Sequence, residues 1–398
     1  MESPGRGHAE AAAELARGAV ECLPEGALEA RLEQAEREGR PLRVKLGIDP
    51  TAPDIHLGHA VALRQLRRFQ DFGHTVVLII GDYTARVGDP SGRSATRPVL
   101  SEEEIDANAA TFQRQALRLL DSDPERLEVA HNSQWLAMPA EQLFGLARTT
   151  TVAQLLERDD FAERYRAGEP ISVLELLYPL LQGYDSVAVR ADVEIGGTDQ
   201  KFNLLVAREV QRAYGQLEQV VMTLPLLPGT DGERRMSKTL GNYVGITEPP
   251  EEIYGKTLRV PDAALPVWRR LLADRPDSDL APRDAKRALA RELVTRFHGP
   301  EAAERAEHAF DRVHVEHRPP DEVEEAVFRP VDGAVHLPAV VAELFGMSTS
   351  EARRLQSQGG VRLDGEAVPA EDLDLSAERL DGALLQVGKR RFRRLRRG

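Results

Sequence analysis

The sequence predicts an α/β protein: a parallel sheet interleaved with helices, then a helical stretch, then a small α/β module. Three observations carry this. Short strand-like runs at 42–48 and 75–80, the second wholly apolar and rich in β-branched residues, flank a segment of helical periodicity at 56–72, the pattern of a βαβ unit. Glycine-rich segments at 81–92 and 196–200 follow predicted strands, the place where open α/β sheets bind ligands. Residues 337–368 combine two short helices with a tight hairpin.

Each element follows from its residues. Residues 9–40, dense in Ala, Leu and Glu, read as helix. A strand at 42–48 comes next, and Gly47 in it leaves the backbone open to a close approach. The helix from His56 to Phe72 is stopped by Gly73. Residues 75–80 are wholly apolar, as expected of a buried parallel strand. Residues 102–185 read as mostly helical, with Ile105, Phe112, Leu117 and Leu120 at apolar positions. Such an insertion between two halves of a sheet is a natural dimer surface. A third strand is expected near 187–195, a helix at 203–214 and a last strand at 220–225.

From 249 to 328 the pattern is helical with polar linkers such as 274–279, and Pro319-Pro320 marks the way out. A helix at 337–345 ends at Gly346, and Ser348 with Glu351 has capping-box spacing for the next. Asp364-Gly365 is the turn of a hairpin. The expected domains are 1–234 with its insertion at 102–185, then 235–330, then 333–398.

Composition narrows the function. At 398 residues the chain exceeds one ordinary core. No apolar run reaches 18 residues, so no membrane span is expected. The N-terminus does not read as a secretion signal, so none is expected, and the single cysteine, Cys22, excludes an intrachain disulfide and a cysteine-cluster zinc site. Cytoplasmic residence is the expectation. The net charge of −13 argues against a coat for nonspecific nucleic-acid binding. Yet residues 338–398 carry 11 Lys or Arg against 9 Asp or Glu, and seven of the last ten are basic. A basic end on an acidic body suggests local capture of a polyanion.

Two separated motifs carry the chemistry. His56 and His59 flank Gly58 at a helix start, where the helix field favours phosphate. Far downstream, Arg235-Met-Ser-Lys-Thr239 offers Lys238 as a mobile counter-charge, with Gly229, Gly232 and Gly241 around it to let the loop close. Together they argue for chemistry at the α-phosphate of ATP. A zinc site is not supported, since two histidines lack further ligands.

These motifs resemble those of a known family. Asp49-Pro-Thr-Ala-Pro-Asp-Ile-His-Leu-Gly-His59, Gly88-Asp-Pro-Ser-Gly92, Tyr178-Pro-Leu-Leu-Gln-Gly-Tyr-Asp185, Gly196-Gly-Thr-Asp-Gln200 and Arg235-Met-Ser-Lys-Thr239 resemble, in type and order, bacterial tyrosyl-tRNA synthetases. The resemblance implies a Rossmann-like class I catalytic domain, a helical anticodon-recognition domain and an S4-like RNA-binding domain. The last rests on Ser350-Glu-Ala-Arg-Arg-Leu355 and Gln358-Gly-Gly-Val-Arg-Leu-Asp-Gly-Glu366.

The resemblance also implies roles. Asp49, Thr51, His56, Gly58, His59, Met236 and Ser237 would serve ATP, and Asp199 its ribose. His56, His59, Thr51, Arg235 and Lys238 would carry catalysis. Asp89, Tyr178 and Gln182 would receive the tyrosine ammonium, Gln200 would sit near its carboxylate, and Asp185 would accept its phenolic hydroxyl. Arg353, Arg354, Arg362, Lys389 and Arg390 would meet RNA. The partners implied are tyrosine, ATP as its Mg2+ complex, tRNA-Tyr and a second copy of the chain, with no resident metal and no membrane. Arg93 and Arg97 read equally as pyrophosphate or tRNA contacts and as surface ion pairs.

The chain departs from the family pattern at Arg235, where lysine is usual, and at Thr239, where serine is common. Lys45 stands where one branch has a tyrosine at the substrate ring hydroxyl, which suits the other bacterial branch. The competing readings are tryptophan activation, a small-molecule nucleotidyltransferase and a noncatalytic RNA-binding protein. Tyr178, Gln182 and Asp185 favour tyrosine over tryptophan.

Overall fold

The computed structural model describes residues 7–89, 101–274, 280–316, 323–330, 333–388 and 391–398. The chain forms two compact units: Met1–Pro249 with Lys256–Leu293, and Pro250–Gly255 with Val294–Gly398.

The first unit is built on six strands: β1 (Glu21–Leu23), β2 (Arg43–Ile48), β3 (Thr75–Ile80), β4 (Leu127–His131), β5 (Val193–Gly197) and β6 (Val220–Leu224). Their order is β1-β6-β5-β2-β3-β4, parallel throughout except for the antiparallel edge strand β1. The chain moves from β2 outward to β3 and β4, then crosses back to place β5 on the other side of β2. That reversal opens a crevice at the carboxyl ends of β2 and β5. Val76 to Ile80 on β3 and Val220 to Met222 on β6 are almost wholly buried, as strands covered by helices on both faces must be.

The helices of this unit are α1 (His8–Leu15), α2 (Ala27–Arg37), α3 (Leu57–Asp71), α4 (Thr84–Val87), α5 (Glu102–Ala116), α6 (Ser133–Leu136), α7 (Ala140–Ala147), α8 (Val152–Leu155), α9 (Asp159–Ala167), α10 (Val173–Val189) and α11 (Lys201–Ala213). After β6 come α12 (Pro250–Arg259) and α14 (Pro282–His298), each divided between the two units, and α13 (Leu265–Leu272) of the first. α3 buries Leu57, Leu63, Leu66 and Phe69. α10 packs Leu180, Leu181 and Val187 against Val206 and Val210 of α11.

The second unit holds α15 (Pro300–His314) and a five-stranded sheet. Its strands are β7 (Glu325–Phe328), β9 (Val361–Leu363), β10 (Glu366–Ala367), β12 (Leu384–Val387) and β13 (Arg391–Arg397), in the order β10-β9-β12-β13-β7. A separate pair joins β8 (Ala334–His336) to β11 (Asp374–Ser376). Helices α16 (Leu337–Phe345), α17 (Thr349–Ser357) and α18 (Ala377–Leu380) complete it. Ser348 caps α17 by accepting the Glu351 N–H at 3.1 Å. Asp364 and Gly365 both adopt positive φ, 51° and 91°, the requirement of a tight hairpin turn.

Three expectations are corrected. Residues 9–40 are not one helix: Gly18 and Gly26 take positive φ, Pro24 lies between them, and β1 forms there against β6. Residues 102–185 are mostly helical, as expected, with β4 among them paired to the open edge of β3. Val187 and Val189 end α10 rather than begin a strand; their branched side chains are buried, Val187 against α11, and β5 starts only at Val193. Residues 325–328, read as the end of a helical stretch, form β7, paired in parallel with β13. The basic terminus forms β13, whose Phe392 and Leu395 are core residues. In each case a partner distant in sequence outweighs local propensity.

The strand β13 gives a test. Leu395 is fully buried, so Leu395→Ala should cost about 2–5 kcal/mol. Hydrogen exchange of the β12 amides should accelerate accordingly. Unchanged protection there would show that the terminus adds nothing to this core.

Candidate active site

A cavity of about 610 Å³ opens at the carboxyl ends of β2 and β5. It is lined by Asp49, Thr51, His56, Gly58, His59, Asp89, Tyr178, Gln182, Asp185, Asp199, Gln200, Arg235, Met236, Ser237 and Lys238. The fold thus brings to one place every residue the sequence assigned to the small substrates. Arg353, Arg354 and Arg362 lie in the second unit, exposed. Arg93, Arg97, Lys389, Arg390, most of the Gly88–Gly92 motif, the 275–279 linker and Pro319-Pro320 lie outside the described residues.

The two histidines are set by the start of α3. His56 is its N-cap, and its Nδ1 accepts the Gly58 N–H at 3.1 Å. His59 Nδ1 accepts the His56 N–H at 3.3 Å, closing a reciprocal cap. The rings stack with centroids 3.9 Å apart. Burial drives the His56 pKa down to about 2, with His59 adding to the shift, and burial alone drives His59 to about 4. Both are therefore neutral at pH 7. Because each Nδ1 accepts from the backbone, each proton resides on Nε2, so the pair offers hydrogen-bond donors and no charge.

Gly58 is glycine for a steric reason. A Cβ there would stand 2.9 Å from the His56 ring and 3.8 Å from Met236 Cβ, so the cap itself needs the space. Gly81 behaves likewise: its Cβ would fall 2.1 Å from an Asp49 oxygen. That oxygen accepts the Thr84 hydroxyl at 2.6 Å, while the other accepts the Tyr178 hydroxyl at 2.9 Å. Burial, with Asp49 beside it, raises the Tyr178 hydroxyl well above its ordinary range, so it stays a donor.

The signature loop rests on the site. Lys238 pairs with Asp54 at 2.8 Å, a bond that raises its pKa, and Arg235 pairs with Asp199 at 3.2 Å. Burial raises the Asp199 carboxyl, against the pull of Arg235. The loop's base is held by Asn242, which accepts the Ser237 N–H at 2.9 Å and donates to Asp231 and to the Arg235 carbonyl at 3.0 and 3.1 Å.

The deep end holds Asp185, which accepts Trp135 Nε1 at 2.8 Å and Asn132 Nδ2 at 3.4 Å. Burial pushes its pKa up to about 6, against Lys45 and those two donors. Lys45 itself does not line the cavity. Fully buried, it pairs with Glu194 at 2.8 Å and donates to Ser186 Oγ at 2.8 Å and the Gln182 carbonyl at 3.0 Å. Glu194 does line the cavity, and it escaped the sequence reading together with Asn132, Asn203 and Asn242. The available signal was a charge inside each of two apolar central strands.

The comparisons agree on a family. The model for class I tRNA synthetases of the W and Y type matches residues 37–315. A tyrosine--tRNA ligase of Moorella thermoacetica is 50% identical over 96% of this chain and 94% of its own. The chain belongs to the tyrosyl-tRNA synthetase family. The ligase of Thermotoga maritima is 48% identical, over 96% of each chain. Among solved structures, a C-terminally truncated mitochondrial tyrosyl-tRNA synthetase of Aspergillus nidulans superposes with a TM-score of 0.62 at 22% identity, covering 76% of this chain and 93% of that one. The Archaeoglobus fulgidus enzyme complexed with L-tyrosine gives 0.61 at 24%, covering 75% and 99%. At those identities the likeness bears on the fold, the Rossmann-like α/β arrangement described above.

The histidines provide a pH test. Their folded pKa values lie below the unfolded value near 6.5, so the unfolded state binds protons first as pH falls. Their contribution to stability is complete above pH 6.5 and declines below it, toward pH 4 for His59 and pH 2 for His56. Imidazole chemical shifts of His56 and His59 should stay flat from pH 8 to 5. A midpoint above pH 6 for either would contradict the neutral pair.

Proposed function

We propose that this chain is a tyrosine--tRNA ligase that joins L-tyrosine to the 3′-terminal adenosine of tRNA-Tyr in two steps. In the first, a carboxylate oxygen of tyrosine attacks the α-phosphorus of Mg-ATP. The Pα–O bond to the β-phosphate breaks, and tyrosyl-adenylate and pyrophosphate form. In the second, the terminal ribose hydroxyl displaces AMP. The observation that carries this reading is the single cavity in which the His56–His59 pair, the Lys238 loop and the Asp185 end converge.

The attacking carboxylate is already ionised, so no general base is required, and catalysis falls to positioning and charge stabilisation. His56 and His59 suit this as neutral donors to the phosphates. Lys238 and Arg235 supply the positive charge once they exchange Asp54 and Asp199 for pyrophosphate oxygens. Thr51, Gly58, Met236, Ser237 and Asp49 surround the nucleotide, and Asp199 takes its ribose. Mg2+ enters with ATP as part of the substrate. Asp89, Tyr178 and Gln182 serve the ammonium, Gln200 the carboxylate, and Asp185 the phenol.

The remaining assignments rest on surface chemistry. Phe144, Val152, Tyr165, Val173 and Leu174 are large apolar residues exposed on helices α7 to α10 or beside them. Exposed apolar side chains of this size on consecutive helices favour burial against a second copy. In the second unit Arg353 and Arg354 are exposed on α17 next to buried Ala352, and Arg391, Arg394 and Arg397 line exposed positions of β13. This supports an S4-like RNA-binding role for 333–398, with 235–330 recognising the anticodon. A cytoplasmic place of work agrees with that substrate.

Tyrosine-dependent ATP–pyrophosphate exchange tests the reaction, and its absence would end this reading. Asp185→Ala should depress kcat/KM for tyrosine while leaving phenylalanine nearly unaffected. An acceptor left unpaired by phenylalanine supports discrimination of about 10⁴, and the tyrosine-to-phenylalanine ratio should shrink toward unity. An unchanged ratio would remove Asp185 from the specificity pocket. Sedimentation at micromolar concentration should show twice the chain mass of 44.0 kDa; an active species at the single-chain mass would refute the dimer.

A further inference from the structure

Behind the cavity runs a buried chain of hydrogen bonds that begins outside it. Arg158, at the N-cap of α9, is held by Asp160 at 2.7 and 2.8 Å and lies over the Phe161 ring at 4.7 Å. Its Nη1 donates to Asn203 Oδ1 at 3.2 Å. Asn203, 1% exposed, then donates through Nδ2 to Gln182 Oε1 at 3.0 Å and to Gln200 Oε1 at 3.1 Å. Gln182 Nε2 donates to Glu194 Oε1 at 3.2 Å, and Gln200 Nε2 donates to Asp89 Oδ2 at 2.8 Å.

An amide is nearly symmetric in shape, so packing alone does not decide which end carries oxygen. Here the ends of the chain decide. Arg158 has only donors. Glu194, paired to Lys45, and Asp89 are acceptors when ionised. Turning Asn203 around would set its NH2 against the guanidinium. It would also force both glutamines to turn, setting their carbonyls against two carboxylates. Only one polarity satisfies every link, and a buried network with mismatched ends is strongly penalised.

We propose that Arg158 and Asn203 are positioning residues that fix the orientation of the Gln182 and Gln200 amides, and so determine how the site binds the zwitterionic end of tyrosine. This rests on the tyrosine-activation reading above. With the observed polarity, Gln200 turns its N–H donors toward the Asp89 side. A substrate then finds a carboxylate for its ammonium and an amide N–H for its own carboxylate. With the polarity reversed, the Gln200 carbonyl would face the substrate carboxylate and repel it.

Asn203→Asp tests this with almost no change of shape. Aspartate still accepts from Arg158 but has no donor for the two glutamines, so both must turn. Pyrophosphate exchange of the wild-type chain reports on the reaction itself; the variants, compared with it, report on the network. We expect KM for tyrosine to rise at least tenfold, with KM for ATP within twofold and kcat within threefold. Arg158→Met, which loses the donor, should raise KM for tyrosine at least threefold, and Arg158→Lys, which retains one, should stay within twofold. If Asn203→Asp does not fold, the contrast between the two Arg158 variants decides. An unchanged KM for tyrosine in Arg158→Met would overturn the proposal. So would a parallel rise in both KM values, which would mark general loosening of the site.

Discussion

Lys45 and Glu194 face each other across the two central parallel strands, withdrawn from water, 2.8 Å apart. Two charges in that position are tolerated only if every remaining donor and acceptor finds a partner. For the ammonium and the carboxylate themselves, the surroundings meet that condition. Ser186 and Gln182 of α10 accept from Lys45 through a hydroxyl and a carbonyl, and Gln182, Ser186 and Gln219 all donate to Glu194. The pair therefore commits α10 to one rotation over the sheet. That rotation places Tyr178, Gln182 and Asp185 along one side of the cavity, at a spacing of three or four residues on one helical face.

From this point the site divides into a rigid part and a part that must exchange partners. The rigid part comprises the histidine cap, the Asp49–Thr84–Tyr178 contacts and the Asn203 hub, all closed by hydrogen bonds to neighbours that do not depend on a ligand. The exchanging part comprises Lys238 and Arg235, whose charges lie on Asp54 and Asp199 at partly exposed positions. Exposed ion pairs are weak, so phosphate oxygens can displace them at small cost. A mobile cation on a fixed floor suits a reaction in which charge moves from the α-phosphate onto a departing pyrophosphate.

The second unit solves a different problem. Its strands carry arginines at exposed positions while Val361, Leu363, Leu385, Val387 and Leu395 fill a common core. The basic side chains are thus displayed on a folded surface, which costs less order on binding than a disordered tail would. Some of that charge is already balanced: Arg393 meets Glu324, and Arg396 meets Glu325.

Much was legible in the sequence because it depends on local chemistry. The strands at 75–80 and 220–224 announce themselves as apolar β-branched runs, that at 42–48 as a short strand-like segment, and α3, α16 and α17 by their caps and closing glycines. The residues the motifs assign to the small substrates lie in short, ordered segments, and all of them meet in one cavity. What remained hidden was decided by distant partners. β1, β4 and β7 are too short to outvote their helical neighbours, and each exists because a sheet edge supplies hydrogen bonds. The neutrality of His56 and His59 follows from burial, which no spacing reveals. Lys45 could be seen to break an apolar strand, but its partner Glu194 lies 149 positions away, and only the parallel register of β2 with β5 brings the two together. The sequence by itself determined which groups are present and the helices and strands that carry them; the tertiary structure decided which are paired, which are charged and which way each amide points, because those properties depend on neighbours that the chain order keeps apart.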